Sequence, residues 1–132
     1  MSLVMLEKIS LTPAQSALIA ERLADPVHQY DEGPCRVWDT YQTGMLAFFE
    51  EPSGQLVSLV EISGLEEVRP GWWIDSAFRG RGYGHTVIDM LADYLKLRGV
   101  KRIGPMPIVT YCGRYNEQSS KLAQRLRKRF AD

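Results

Sequence analysis

Between Ile74 and Gly84 the chain reads Ile-Asp-Ser-Ala-Phe-Arg-Gly-Arg-Gly-Tyr-Gly and runs without a gap into an amphipathic segment. Gly80, Gly82 and Gly84 let the backbone turn with no Cβ in the way of a ligand. A helix begun at this point adds its unpaired N–H groups and the positive end of its dipole. Arg79 and Arg81 add cationic charge. Backbone donors, dipole and cations gathered at one place are the parts of a diphosphate cradle. Spacing excludes two familiar versions of it. A Walker A loop needs Gly-x-x-x-x-Gly-Lys followed by Ser or Thr, and no such run occurs. A dinucleotide fingerprint needs Gly-x-Gly-x-x-Gly, but Gly84 comes one residue early and His85 stands in the required place.

The elements that must hold this loop read clearly in the second half of the chain. A β run over Val68 to Asp75 leads into it, with Pro70 and Gly71 as interruptions. Proline donates no ladder hydrogen bond, so an edge or a bulge is expected at Pro70. Behind the loop, Tyr83, Val87, Ile88, Leu91 and Leu95 recur at helical spacing up to Arg98, and Gly99 supplies the stop. Lys101 to Thr110 reads as a further strand weakened by Pro105 and Pro107. A last helix is expected over Asn116 to Phe130, with Leu122, Leu126 and Phe130 on one face. Upstream, Val4 to Ile9 reads as a strand, and Thr12-Pro13 opens a helix that ends near Asp25-Pro26. The stretch from Pro26 to Pro34 is irregular, a short helix or a loop. From Arg36 the pattern turns to β, with runs at Met45 to Glu50 and Leu56 to Ile62 joined by a Pro52-Ser53-Gly54 turn.

Composition bounds the reading. The 132 residues form one expected domain, 1–132. A formal net charge of zero gives no global electrostatic case for nucleic acid or an anionic membrane. No apolar run approaches a spanning helix, and the N-terminus lacks a signal-peptide core. Cys35 and Cys112 build no disulfide framework and have no metal-ligand spacing with His28 or His85, so no metal is expected. Two free thiols in a leaderless chain suit a cytoplasmic setting.

The motif Arg79-x-x-Gly82-x-Gly84 after an apolar strand, with Ile74, Phe78, Val87, Ile88 and Leu91 around it, resembles the pyrophosphate-binding motif of the GCN5-related N-acetyltransferase (GNAT) superfamily. The element order agrees over the last two-thirds of the chain. The resemblance implies an α/β (α+β) acyl-CoA N-acyltransferase fold, a mixed, mostly antiparallel sheet flanked by helices and truncated at its C-terminal end. It implies acetyl-CoA as cosubstrate, with Arg79, Gly80, Arg81, Gly82, Tyr83 and Gly84 around the pyrophosphate, and Trp73 and Ile74 pairing with the pantetheine arm. Asn116-x-x-Ser119-x-x-Leu122 resembles the family's following helix, where Asn116 and Ser119 would lie beside that arm. The alternative for this pair is a helix N-cap followed by a solvent-facing residue. Two departures stand out: Ala123 takes the place of a customary tyrosine, and the closing strands are absent, since the sequence stops at Asp132. Either the acceptor side is open or a second subunit covers it as a homodimer.

On this reading the activity is transfer of an acyl group, acetyl being expected, to a primary amine of a small molecule or a protein, by direct attack in a ternary complex. The alternative is an inactive CoA-binding or interaction module. An alkylammonium with pKa ~10 must lose a proton before it attacks. Candidate bases are Glu61, Glu66, Glu67 and Asp75, with Glu67 the first choice because it precedes the expected bulge; Asp75 could instead cap the turn. Tyr111 and Tyr115 are candidate acids, each with the alternative of a half-buried aromatic. Cys112 reads as an inert thiol and His85 as an ordinary first-turn residue. One of Trp72 and Trp73 is expected in the core, the other toward the cleft or solvent. The basic end, Lys121 to Arg129, reads as complement to a helix dipole rather than a nucleic-acid surface.

Overall fold

The computed structural model describes residues 2–28, 34–64, 67–105 and 116–131, which build a five-stranded sheet with the strands in chain order. β1 (Ser2–Glu7), β2 (Met45–Glu51), β3 (Leu56–Ser63) and β4 (Glu67–Ile74) pair antiparallel in succession. The short β5 (Arg102–Ile103) adds parallel to the start of β4. A parallel neighbour requires a crossover, here α3 (Tyr83–Leu97), and α4 (Glu117–Phe130) follows β5. The first part of the chain contributes α1 (Pro13–Leu23) and the single turn α2 (Pro34–Val37).

Side chains alternate across the strands and divide the core in two. Leu46, Phe48, Val60 and Val68 meet Val87, Ile88, Leu91 and Leu95 of α3 and Ala123 and Leu126 of α4. On the opposite face Met45, Ala47, Leu59 and Trp73 meet Ile19 of α1, with Leu18, Leu23 and Cys35 beside it. Thr12 caps α1 as expected, in a reciprocal box with Gln15 that satisfies two otherwise orphan donors.

Several boundaries move. β1 begins at Ser2 and gives way to a 3-10 turn over Lys8–Ser10. Arg36 lies in α2 rather than in a strand, and the stretch before it opens with a 3-10 turn at Pro26–His28. The bulge is not at Pro70: the β3–β4 register runs unbroken from Ser58↔Ile74 to Ser63↔Arg69. It falls in β3, where the register steps from Phe48↔Ser58 to Phe49↔Leu56 and leaves Val57 over. Pro70 meets the edge condition instead. The carbonyl of Val68 accepts from Gly104 N at 2.7 Å, so Val68, Pro70, Trp72 and Ile74 aim their backbone groups away from β3. Beyond Val68 no strand covers that side among the described residues, and Pro70 puts its missing donor there. Of the strand expected to reach Thr110, residues 106–110 lie outside the described residues.

α3 and α4 run parallel. Gly84 faces Leu122, Asp89 binds Arg125 through two hydrogen bonds of 2.9 and 2.7 Å, and Asp93 binds Arg129. These contacts keep a nearly constant offset along both helices. The N-termini of α3 and α4 therefore sit at the same end of the sheet, beside the glycine loop.

Candidate active site

The loop hangs from Asp75, the residue after β4. Its N–H donates to the carbonyl of Val57, the bulge residue, at 2.8 Å, and its carbonyl accepts from Phe78 N at 2.8 Å. Its carboxylate caps a 3-10 turn, Ser76–Phe78, through Ala77 N at 2.9 Å. Downstream, Gly80 and Gly82 take φ of +73° and +83°, where side-chain-bearing residues are strained, and nothing stands within 4 Å of a Cβ built on either. Gly82 is the N-cap of α3. Among the described residues no carbonyl accepts from the backbone N–H groups of Gly80 to His85. The result is a fan of bare donors at the positive end of α3, with the N-terminus of α4 beside it, and it fits a diphosphate.

The side chains of the loop are occupied in shaping it. Arg79 Nε donates to the carbonyl of Ile74 at 2.7 Å, and Arg81 Nη1 to that of Ala77 at 3.2 Å. The Arg81 guanidinium also lies 5.3 Å from the Phe78 ring and 5.5 Å from that of Tyr83. Phe78 and Tyr83 meet edge to face, and the Tyr83 hydroxyl donates to Glu50 at the end of β2. Gly84 serves packing as well as the turn: a Cβ there would press two Leu122 methyls at 3.3 Å.

The chain matches the acetyltransferase (GNAT) family over residues 16–126. It belongs to that family. The fold of the GNAT chain is also that of known structures. A domain from Methanocaldococcus jannaschii DSM 2661 matches with a TM-score of 0.64 at 16% identity, over 95% of this chain and 86% of that one. A GNAT-family acetyltransferase from Streptococcus pneumoniae gives 0.63 at 13% identity, over 93% and 82%. N-acetylglutamate synthase from Neisseria gonorrhoeae, complexed with coenzyme A and N-acetyl-glutamate, gives 0.53 at 13% identity, over 78% of this chain but 24% of that one. No curated protein matches the sequence.

Within this GNAT frame the residues singled out from the sequence fall in different places. Arg79 to Gly84 come together as one loop, and Ile74 lies on the open edge of β4 just before it. Trp73 does not share that edge: its carbonyl accepts from Ser58 Oγ at 2.7 Å and its ring is buried on the α1 face. Trp72 takes the edge position, with its indole on the α3 face, where Nε1 is buried without a partner among the described residues. Asn116 is the N-cap of α4, its side chain accepting from Ser119 N at 2.9 Å, and Ser119 lies in the first turn. Glu66, Tyr111, Cys112 and Tyr115 lie outside the described residues.

The three described carboxylates separate sharply. Asp75 is 1% exposed and its oxygens are taken by Arg22 Nε and Nη2, both at 2.8 Å, and by Ala77 N. Burial works against its ionised form, but those hydrogen bonds and the Arg22 charge carry its pKa below the usual carboxylate range. Glu67 is exposed at the start of β4, beside Gly104 of the loop after β5. Glu61, half-buried on β3, lies over Gly71 of β4: a Cβ on Gly71 would come within 2.9 Å of Glu61 Oε1. No hydrogen bond or ion pair reaches Glu61 among the described residues, and burial pushes its pKa up. No local spacing marks the Arg22–Asp75 pair, whose members are 53 residues apart.

No helix among the described residues is long and apolar enough to cross a membrane, and no group of three metal-ligating side chains occurs among them.

Proposed function

We propose that the protein is an acetyl-CoA-dependent N-acetyltransferase that acetylates a primary amine by direct attack within a ternary complex. The fan of unpartnered N–H groups from Gly80 to His85, opening beside a bare β4 edge, carries this reading. The N–H fan would hold the pyrophosphate, with Ser119 of α4 and Arg79 and Arg81 nearby. The backbone groups of Trp72 and the N–H of Ile74 would pair with the pantetheine amides as an added strand does. Bound there, acetyl-CoA supplies an acetyl thioester.

Glu61 is the proposed proton acceptor, in place of Glu67. Gly71 lies three residues from the loop end of β4, about 10 Å at the usual rise, and the Glu61 carboxylate sits directly over it. Glu67 lies four residues further, roughly 13 Å more, and is exposed. A carboxyl without a partner among the described residues, half-buried and with its pKa raised, can take the proton of an ammonium and free the amine for attack. The phenolic oxygen of Tyr111 or Tyr115 is the proposed proton donor on the departing side.

One observation favours a second reading, a CoA-binding module without turnover. Ala123 is 1% exposed, packed against the α3 core, so the position of the customary tyrosine offers no hydroxyl. Thiol release from acetyl-CoA with a panel of small amines and peptide amino groups decides between them. Release with any acceptor supports the enzyme; acetyl-CoA binding without release across the panel supports the module. The acceptor is proposed to be a small-molecule amine or a protein amino group. Assembly as a homodimer and residence in the cytoplasm remain part of the proposal, and the first is checked by light scattering on the purified chain.

A further inference from the structure

Arg22, in the last turn of α1, reaches Asp75, which lies 53 residues further along the chain, just after β4. Its Nε and Nη2 donate to Asp75 Oδ2 and Oδ1, both at 2.8 Å. Nη1 lies 3.5 Å from Asp25, and His28 Nε2 stands 3.3 Å from Nη2 and 3.8 Å from Asp75 Oδ2. His28 is 4% exposed and meets the 4% exposed Trp73 edge to face at 5.0 Å. Asp75 and His28 of this cluster are buried and Arg22 and Asp25 half-buried, and the proposed acetyl transfer uses none of them directly.

Its position gives it a task. Asp75 is the pivot of the glycine loop: its N–H fixes it to the β3 bulge, its carbonyl holds Phe78, and its carboxylate caps Ala77. A bidentate guanidinium leaves that carboxylate one orientation, because a fork of two parallel hydrogen bonds fixes the plane of both groups. Buried ion pairs add little stability compared with apolar side chains of the same shape, so their use is often in fixing geometry. The geometry fixed here is the angle at which Ser76–Phe78 and the Gly80–Gly82 turn leave β4. The bare N–H groups depend on that angle, because nothing among the described residues accepts from them and sets their direction.

We propose that Arg22 is a positioning residue for the acetyl-CoA seat, acting through Asp75 to aim the N–H fan of the loop. The inference rests on the acetyl-CoA reading of that loop. It also ties α1, which covers the face carrying Glu61, to the cosubstrate side of the molecule.

The test compares acetyl-CoA affinity by calorimetry with melting temperature, using the full chain. Arg22→Met alone strands a buried carboxylate and is expected to unfold easily. The pair Arg22→Met with Asp75→Asn removes both charges and keeps the Ala77 cap, so its melting temperature should return close to wild type. Its acetyl-CoA Kd should nevertheless rise about tenfold or more. Arg22→Lys keeps the charge without the fork; it should raise the KM for acetyl-CoA severalfold and leave kcat at saturation unchanged. Wild-type affinity in the folded double variant, or a wild-type KM in Arg22→Lys, would overturn the assignment while leaving the acetyl-CoA seat standing. Failure of the wild-type chain itself to bind acetyl-CoA would overturn both.

Discussion

At the C-terminal end of β4 the side chains are committed and the backbone is bare. Asp75, Arg79, Arg81 and Tyr83 each hydrogen-bond to the protein, while the N–H groups from Gly80 to His85 have no acceptor among the described residues. Midway along the same strand the arrangement is reversed. The backbone of Gly71 is paired to β3, and it is a side chain, the Glu61 carboxyl, that has no partner among the described residues. The contrast follows from the chemistry each end would serve. A diphosphate is held by fixed dipoles that need no protonation change, whereas deprotonating an amine needs a group whose charge can change. A rigid backbone seat and a poised carboxyl are different solutions, and they fail under different substitutions.

The largest effect is expected at the poised carboxyl. Glu61→Gln should lower kcat/KM about 100- to 10,000-fold with acetyl-CoA affinity unchanged, a separation that steady-state kinetics and calorimetry read independently. The same substitution has a stability signature. The Glu61 pKa is raised above its usual 4.5 by burial, so the neutral form is favoured in the fold. The stability it contributes is full below about pH 4.5 and is lost as pH rises through the raised value. Glu61→Gln should therefore match the wild-type melting temperature at pH 4 and exceed it at pH 8. Equal differences at the two pH values would remove Glu61 from the role of a buried, pKa-shifted base.

Next comes the backbone seat. Gly82→Asp sets a carboxylate where the diphosphate would lie, and its affinity for acetyl-CoA should fall at least about 100-fold, with about 1 kcal/mol of strain from the positive φ. Unchanged affinity would detach the loop from the cosubstrate. Tyr83→Phe, which removes only the tie to Glu50, should change the same Kd less than about threefold, because the N–H groups are aimed from Asp75 rather than from the tyrosine ring. The smallest effect belongs to the helix pair. Arg125→Ala breaks an exposed ion pair with Asp89, and the melting temperature should move by no more than about 2 °C.

These two ends were not equally legible in the sequence. The loop was written in local terms, glycines at fixed spacing between an apolar strand and an amphipathic helix, and such signals survive folding because the turn and the helix start depend on near neighbours. The basic face of α4 was only half readable. Its charges suited the helix dipole, but Arg125 and Arg129 also pair with Asp89 and Asp93 of α3, contacts that exist only once the two helices lie parallel. The carboxyl end was less readable still. Glu61, Glu67 and Asp75 are equivalent as letters, and the sheet register tells them apart by setting Glu61 over Gly71 and Asp75 under Arg22. Trp72 and Trp73 differ in the same way, since only the direction of the Val68 carbonyl toward β5 shows which of them lies on the open edge. Pro70 gave its condition, an edge or a bulge, and only the strand order could choose between them.

Everything proposed for the transfer depends on the bare N–H groups from Gly80 to His85 being an acetyl-CoA seat. Thermal shifts of the wild-type chain with acetyl-CoA, free CoA and NAD at matched concentrations test it most directly. A rise in melting temperature with both CoA species and none with NAD is the expected result. No rise with any of the three would contradict it and leave the loop as a turn between β4 and α3.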